Sequence, residues 1–184
     1  MMGKPLMRAM SAGFAYLAVY AALNFVSYVK PYGSFGVTPW NPEVGLNLAL
    51  AYLGGIVAAP FFLIAQFATN YVLRGGPMGF WLELVTSAVS GAAFLIAGTI
   101  LRRMNFIDPR LNSVRDVLHL LLAILAASLA AAILFTLAIA IGGELGRGDF
   151  THVVRRLVIG DVIGCLTITP FILIFVTLRP WPAP

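Results

Sequence analysis

The chain is built from long apolar runs separated by turns too short to form a domain of their own. Ala9–Val29, Phe80–Leu101, Val114–Ile141 and Thr151–Leu178 are such runs, and Val44–Leu73 is another. About 20 apolar residues in a row are what a helix needs to cross the ~30 Å hydrocarbon core of a bilayer. With no water there to satisfy peptide groups, segments of this kind fold as helices. Of the 184 residues, 60% are hydrophobic and 10% are charged, against roughly 25% charge in soluble domains. The mean hydropathy is +0.94. Lipid, not water, must cover such a surface. The fold class expected is all-α, a polytopic membrane bundle of about six transmembrane helices with both termini cytoplasmic.

The net charge of +5 does not point to nucleic acid, because the basic residues stand in short runs between spans. That is the pattern that orients membrane proteins. Cys165 lies alone in an apolar run and forms no internal disulfide. Lys4 and Arg8 before an apolar stretch imitate a signal peptide, but Ala9–Val29 is long enough to span and no small-residue cleavage site follows it. It is read as a retained first span.

Between the first two spans, Lys30–Glu43 holds Pro31, Pro39 and Pro42, which forbid a regular helix. Tyr28, Tyr32 and Trp40 suit a membrane interface. Val44–Leu73 is either one long helix kinked at Pro60 or two short helices meeting at Gly54–Gly55. Loop charges choose between them. With two helices, Lys4, Arg8, Arg102, Arg103, Arg110, Arg115 and Arg179 share one face. Lys30, Arg74, Arg147, Arg155 and Arg156 then share the other, seven against five. With one helix the bias disappears. Six spans follow, at the cost that Val44–Leu53 covers only ~15 Å. That shortness calls for thinned lipid, protein cover or an extended lead-in. Ser113 and Asp116 have the spacing of a capping box before the fifth span.

With this topology the strongly polar intramembrane residues gather toward the outer leaflet: Asn24, Glu43, Asn47, Gln66, Asn70, Glu83, Arg155, Arg156 and Asp161. Charges in a bilayer cost ~3 kcal/mol or more at its centre and face a partner or a watery cavity. Asp161 is the deepest acid. Arg155 or Arg156, one to two turns earlier, or a group on another helix would be its partner. One reading is that these residues glue helices together; the other is an outward-facing polar pocket. Glu43, Glu83 and Asp161 also admit a proton relay as a minor reading. His119 and His152 sit near span ends and make no metal site. No Walker loop, GxSxG, HExxH or CxxC occurs, so neither cofactor nor metal is expected. Gly91 and Gly98, and the Gly160–Gly164 pair, would let helices approach closely, within the chain or between subunits.

Four short motifs occur in order along the chain. Pro39–Leu50 (PWNPEVGLNLAL) contains Trp40, Pro42, Gly45 and Leu46. Pro60, Ala68 and Asn70 follow. Arg102–Arg103 and the turn leading to Arg115 and Asp116 come next. Gly160, Asp161, Gly164 and Pro170 close the series. Together they resemble the first class of bacterial membrane-associated sensor domains, the MASE family, over about Phe14 to Phe175. The resemblance implies a bacterial inner-membrane sensor domain preceding a histidine kinase, diguanylate cyclase or phosphodiesterase module. Residues 1–179 would be that domain. Residues 180–184 would be the start of a linker or a natural C-terminus. The chain itself would not be an enzyme. The signalling residues expected are Trp40, Asn41, Glu43, Asn47, Asn70, Glu83, Arg155, Arg156 and Asp161. The expected partners are the bilayer, a second copy through the parent protein, an undefined small ligand and a possible membrane-protein partner. Two alternatives stand beside it: a small-molecule capture or transport subunit, and an accessory subunit of a larger membrane complex.

Overall fold

The computed structural model describes residues 4–28, 38–146 and 148–178, with side chains from residue 12 onward. Lys30 and its turn, Arg147, and the tail from Arg179 lie outside the described residues. Every regular element among the described residues is helical. Helix α1 covers Lys4–Ser27, α2 Pro42–Gly54, α3 Ala59–Ala68, α4 Phe80–Arg103, α5 Val114–Ile141 and α6 Phe150–Leu178. Four continuous stretches are long and apolar enough to cross a membrane: Pro42–Leu73, Phe80–Arg103, Val114–Ile141 and Phe150–Leu178. Ala12–Ser27 is a shorter apolar helix. The protein is a helical membrane bundle.

The first of those stretches, α2 with α3, is not a rod. Glu43 near its start and Arg74 just past its end both bond the side chain of Asn24, at 2.9 and 2.7 Å. A straight helix would separate them by roughly 46 Å. The chain reverses at Gly55, whose φ of 61° and ψ of −145° belong to glycine. A Cβ there would also meet the Arg102 guanidinium at 3.1 Å. Pro60 does not kink a long helix. It sits in the first turn of α3, where its missing N–H has no helical partner to lose. Pro42 starts α2 in the same way. Beyond Ala68 the helix widens into one π-type turn, Thr69–Leu73. At the next turn of the chain, the Ser113–Asp116 capping box forms in both directions at the start of α5. Arg115 beside it is exposed.

Contacts give each helix its direction. Asn24 meets Glu43 while Tyr16 meets Asn47, so α1 and α2 are antiparallel. Phe67 packs on Phe80 and Phe62 lies against Gly91, so α3 and α4 are antiparallel. Leu82 lies against Gly142 and Phe106 stacks on His119, which does the same for α4 and α5. Helices α2 and α6 run parallel: residue 41 meets 160, and 45 meets 164 and 169.

The α2–α6 seam is the closest in the bundle. A Cβ on Gly164 would fall on the Asn41 carbonyl oxygen, and one on Gly160 would lie 2.8 Å from the Thr38 oxygen. A Cβ on Gly45 would lie 2.6 Å from the Gly164 carbonyl oxygen. The Gly160–Gly164 pair therefore serves contact within the chain. Gly98 does the same for α4, where a Cβ would lie 2.5 Å from that of Ala51 in α2. Thr169 donates to the Gly45 carbonyl at 2.9 Å, one residue before Pro170, which lies inside α6. Gly164→Ala is expected to destabilise the bundle by about 1–3 kcal/mol through overpacking. Gly54→Ala, whose new Cβ would meet only Ala58 at 3.8 Å, is expected to be tolerated. Paired thermal melts in detergent check the contrast.

Candidate functional site

The site follows from a mismatch of helix lengths. Helix α2 has 13 residues and rises ~20 Å. Helices α5 and α6 have 28 and 29 and rise more than 40 Å at ~1.5 Å per residue. A short helix among long neighbours leaves room beyond its first turn. Its beginning lies beside Asp161, eleven residues into α6 and so ~16 Å from that helix's start. The chain reaches this depth as non-helical backbone. Backbone of that kind survives in a membrane only where protein or a water-filled cavity satisfies it.

Residues 38–41 meet that demand locally. The Asn41 N–H donates to the Gly160 carbonyl at 3.1 Å. The Thr38 hydroxyl bonds the Trp40 carbonyl and the Asn41 side-chain oxygen. Asn41 is the N-cap residue of α2, yet its side chain makes no cap bond. Its Nδ2 donates instead to the Asp161 carboxylate at 2.7 Å. The short span thus has protein cover over an irregular lead-in at residues 38–41.

Above this point lies a cavity of about 70 Å³. At ~10–15 Å³ per water, it holds roughly five waters or a ligand of comparable size. All six helices wall it: Tyr20 and Asn24 from α1, Asn41 and Glu43 at the start of α2, and Gln66 with Asn70 and Arg74 from the α3 side. Ser90 comes from α4, Phe135 from α5 and Asp161 from α6. Two carboxyl groups, one guanidinium and four carboxamides face a space this small. Such a set recognises a small polar molecule through several hydrogen bonds at once. Asn24 organises one side by donating to Glu43 at 2.9 Å and accepting from Arg74 at 2.7 Å. Ser27 adds a longer bond to Glu43, and Arg74 also lies over the Tyr28 ring, 4.2 Å from its centroid.

The structure brings together part of the set expected from sequence. Asn41, Glu43, Asn70 and Asp161 line the cavity. Glu83 lies just outside, buried beneath the Met78 N–H and hydrogen-bonded by Asn70. Its Oε2 has no hydrogen-bond partner among the described residues. Asn47 sits one turn further along α2, where its oxygen accepts from Tyr16 at 2.6 Å. The Trp40 indole is partly exposed and does not line the cavity. Arg155 and Arg156 are corrected most. Both are exposed on α6 and off the cavity wall, because residues five and six positions before Asp161 fall on another face of a helix. The hydrogen bond that Asp161 receives comes from Asn41. Pro42, Gly45, Gly160 and Gly164 act through the seam, not by touching the cavity.

Arg74 was missed as a site residue, while Gln66 and Asn24, counted among the outer-leaflet polar residues, were left out of the expected signalling set. A signal existed for the first two. Gln66, Asn70 and Arg74 recur every four residues, and this spacing puts them on one helix face. Treating Arg74 only as a loop charge hid that stripe. Asn24 had no such signal, since α1 offers a lone carboxamide among apolar residues.

Asn24→Ala removes bonds to two charged groups at once, and it is expected to lower stability by about 1–3 kcal/mol. Asn24→Ala combined with Arg74→Leu is expected to cost less than the sum of the two single changes. Chemical denaturation in detergent of the four proteins of this cycle measures the difference.

The sequence matches no protein-family model, no curated protein and no solved structure.

Proposed function

We propose that the chain is a sensory input domain of a bacterial inner membrane, relaying a signal from the outer side or the membrane to a cytoplasmic output module. The output module is of the histidine kinase or diguanylate cyclase type, and the parent protein acts as a homodimer. The chain itself has no catalytic role. In this reading the bundle crosses the membrane six times, and α2 and α3 are two thin spans. The Arg102–Arg115 turn and both termini are cytoplasmic, which the alternating helix directions and the loop charges support.

One observation carries the reading. A small polar cavity draws a wall from every helix, and it is tied through Asn41 and Asp161 to α6. Helix α6 runs without interruption from the cavity to Leu178. A small polar ligand in contact with Arg74, Glu43 and Asp161 binds two packings of the α2–α6 seam with different affinity, and so shifts their populations. The motif residues Gly45, Gly160 and Gly164 are those that form this seam. The cavity size counts against a vitamin-capture subunit. Pockets for ligands of that size are several hundred Å³, and this one is about 70 Å³.

Two measurements test the proposal. The protein extracted from its own membrane is expected to have an intact mass well above 19.7 kDa, the excess being the signalling module. In that parent protein, Asp161→Asn is expected to preserve the fold, with its melting temperature close to wild type, while output in a transcriptional or second-messenger reporter falls severalfold. A mass near 19.7 kDa, or unchanged output from the variant, would overturn the sensor reading.

A further inference from the structure

A second cavity lies on the outside of the bundle, away from the polar site. It is an apolar groove of about 510 Å³ between α4 and α5. Alanines of both helices, Ala93 and Ala97 opposite Ala123 and Ala127, form its floor. Ile96, Ile100, Leu122 and Leu134 stand along it and are exposed. At one end it meets the ring pair Phe106–His119, stacked 5.4 Å apart and 10° from parallel.

Two features say what covers this groove. The first is length. Along α5 the lining runs from His119 to Leu134, ~22 Å at 1.5 Å per residue, and along α4 from Ala92 to Leu101, ~14 Å. One leaflet of hydrocarbon is about 15 Å deep. The groove therefore matches one leaflet of hydrocarbon together with its headgroup layer, ~20–22 Å, whereas a crossing helix would need roughly 30 Å of hydrocarbon track. The second is charge at one end only. Arg103 continues the α4 stripe of Ile96 and Ile100 at i+7 and i+3. Arg115 precedes His119 and Leu122 of the α5 stripe by four and seven. These spacings keep each arginine on the groove face of its helix, and both are exposed. Across residues 102–116 there are four arginines against two aspartates. The Asp116 carboxylate is taken up by Ser113 and the Asp108 N–H, and Asp108 accepts from the Arg110 N–H. Arg102 is turned toward Gly55. By helix spacing, Arg103 and Arg115 are the two that stand at the groove mouth.

We infer that the α4–α5 groove is a binding site for one anionic phospholipid, its acyl chain on the alanine floor and its phosphate between Arg103 and Arg115. An acyl chain anchored by its headgroup at the interface extends to the bilayer midplane and no further, which is the shape of the groove. The inference is independent of the sensor reading, since it uses none of the polar-cavity residues.

Native mass spectrometry of the full chain in detergent tests it, with dioleoylphosphatidylglycerol, dioleoylphosphatidylcholine and dihexanoylphosphatidylglycerol as probes. The expected result is one retained equivalent of the long-chain glycerol lipid. Its preference over the choline lipid is expected to be about tenfold, in line with two interfacial arginines. The short-chain lipid, which keeps the headgroup and loses the chain, is expected to be lost. Arg103→Gln with Arg115→Gln lies on the exposed surface and is expected to keep its melting temperature while the two long-chain lipids become equivalent. Equal retention of the long-chain lipids by the unaltered chain would overturn the assignment. So would retention of the short-chain probe, an unchanged preference in the double variant, or a lipid-free dimer, which would mean that a second copy covers the groove.

Discussion

The bundle depends on one helix being too short. Helix α2 cannot reach across a bilayer, so its N-terminal end is set well inside a frame of helices about twice its length. The polar groups that line the cavity are arranged around that end. Four residues of non-helical chain lead into it, their peptide groups must be bonded by protein, and the volume they leave cannot be filled by a helix. An α2 extended at this end would fill the cavity, turn Asn41 into an interior helix position and strand Asp161 without its partner.

The cost of a buried backbone break is met by two devices of different kinds. The steric device is the absence of side chains at Gly45, Gly160 and Gly164, which brings the Asn41 backbone into contact with α6. The polar device is the chain of bonds through Thr38, Asn41 and Asp161 on one side and through Asn24, Glu43 and Arg74 on the other. The second set contains more than the break requires. Asn24 holds both Glu43 and Arg74 at the cavity wall, and this surplus polar chemistry is what makes the cavity a site.

What could be read from the sequence was whatever depends on local rules. Apolar run length gave the helices. Gly54–Gly55 marked the end of α2 and the Ser113–Asp116 spacing the cap of α5, whereas Pro42 and Pro60, read as a breaker and a possible kink, start helices. Parts of the site were legible because Asn41, Glu43, Asn70 and Asp161 are costly in lipid and so stand out singly. Pairing was not legible. Nothing local says that Asp161 is answered by a residue 120 positions earlier and not by the arginines a turn or two away. Nor does anything local say that Asn24 joins the two ends of a hairpin it does not belong to. Such contacts are set by helix packing, and a sequence records helix packing only through small residues whose partners it does not name.

Pro170 gives α6 a division of labour. Above it, Gly160, Gly164 and Thr169 fasten the helix to α2 by close contact and by a bond to the Gly45 carbonyl. At residue 170 the proline has no N–H to return to the Leu166 carbonyl, so the helix loses one internal bond at the first turn past the last fastening point. Past it, Ile172 and the fully buried Leu173 still pack on the core, so the missing bond loosens the helix without freeing it. Beyond the seam, residue 170 is thus the position where α6 can change its angle without giving up a further hydrogen bond.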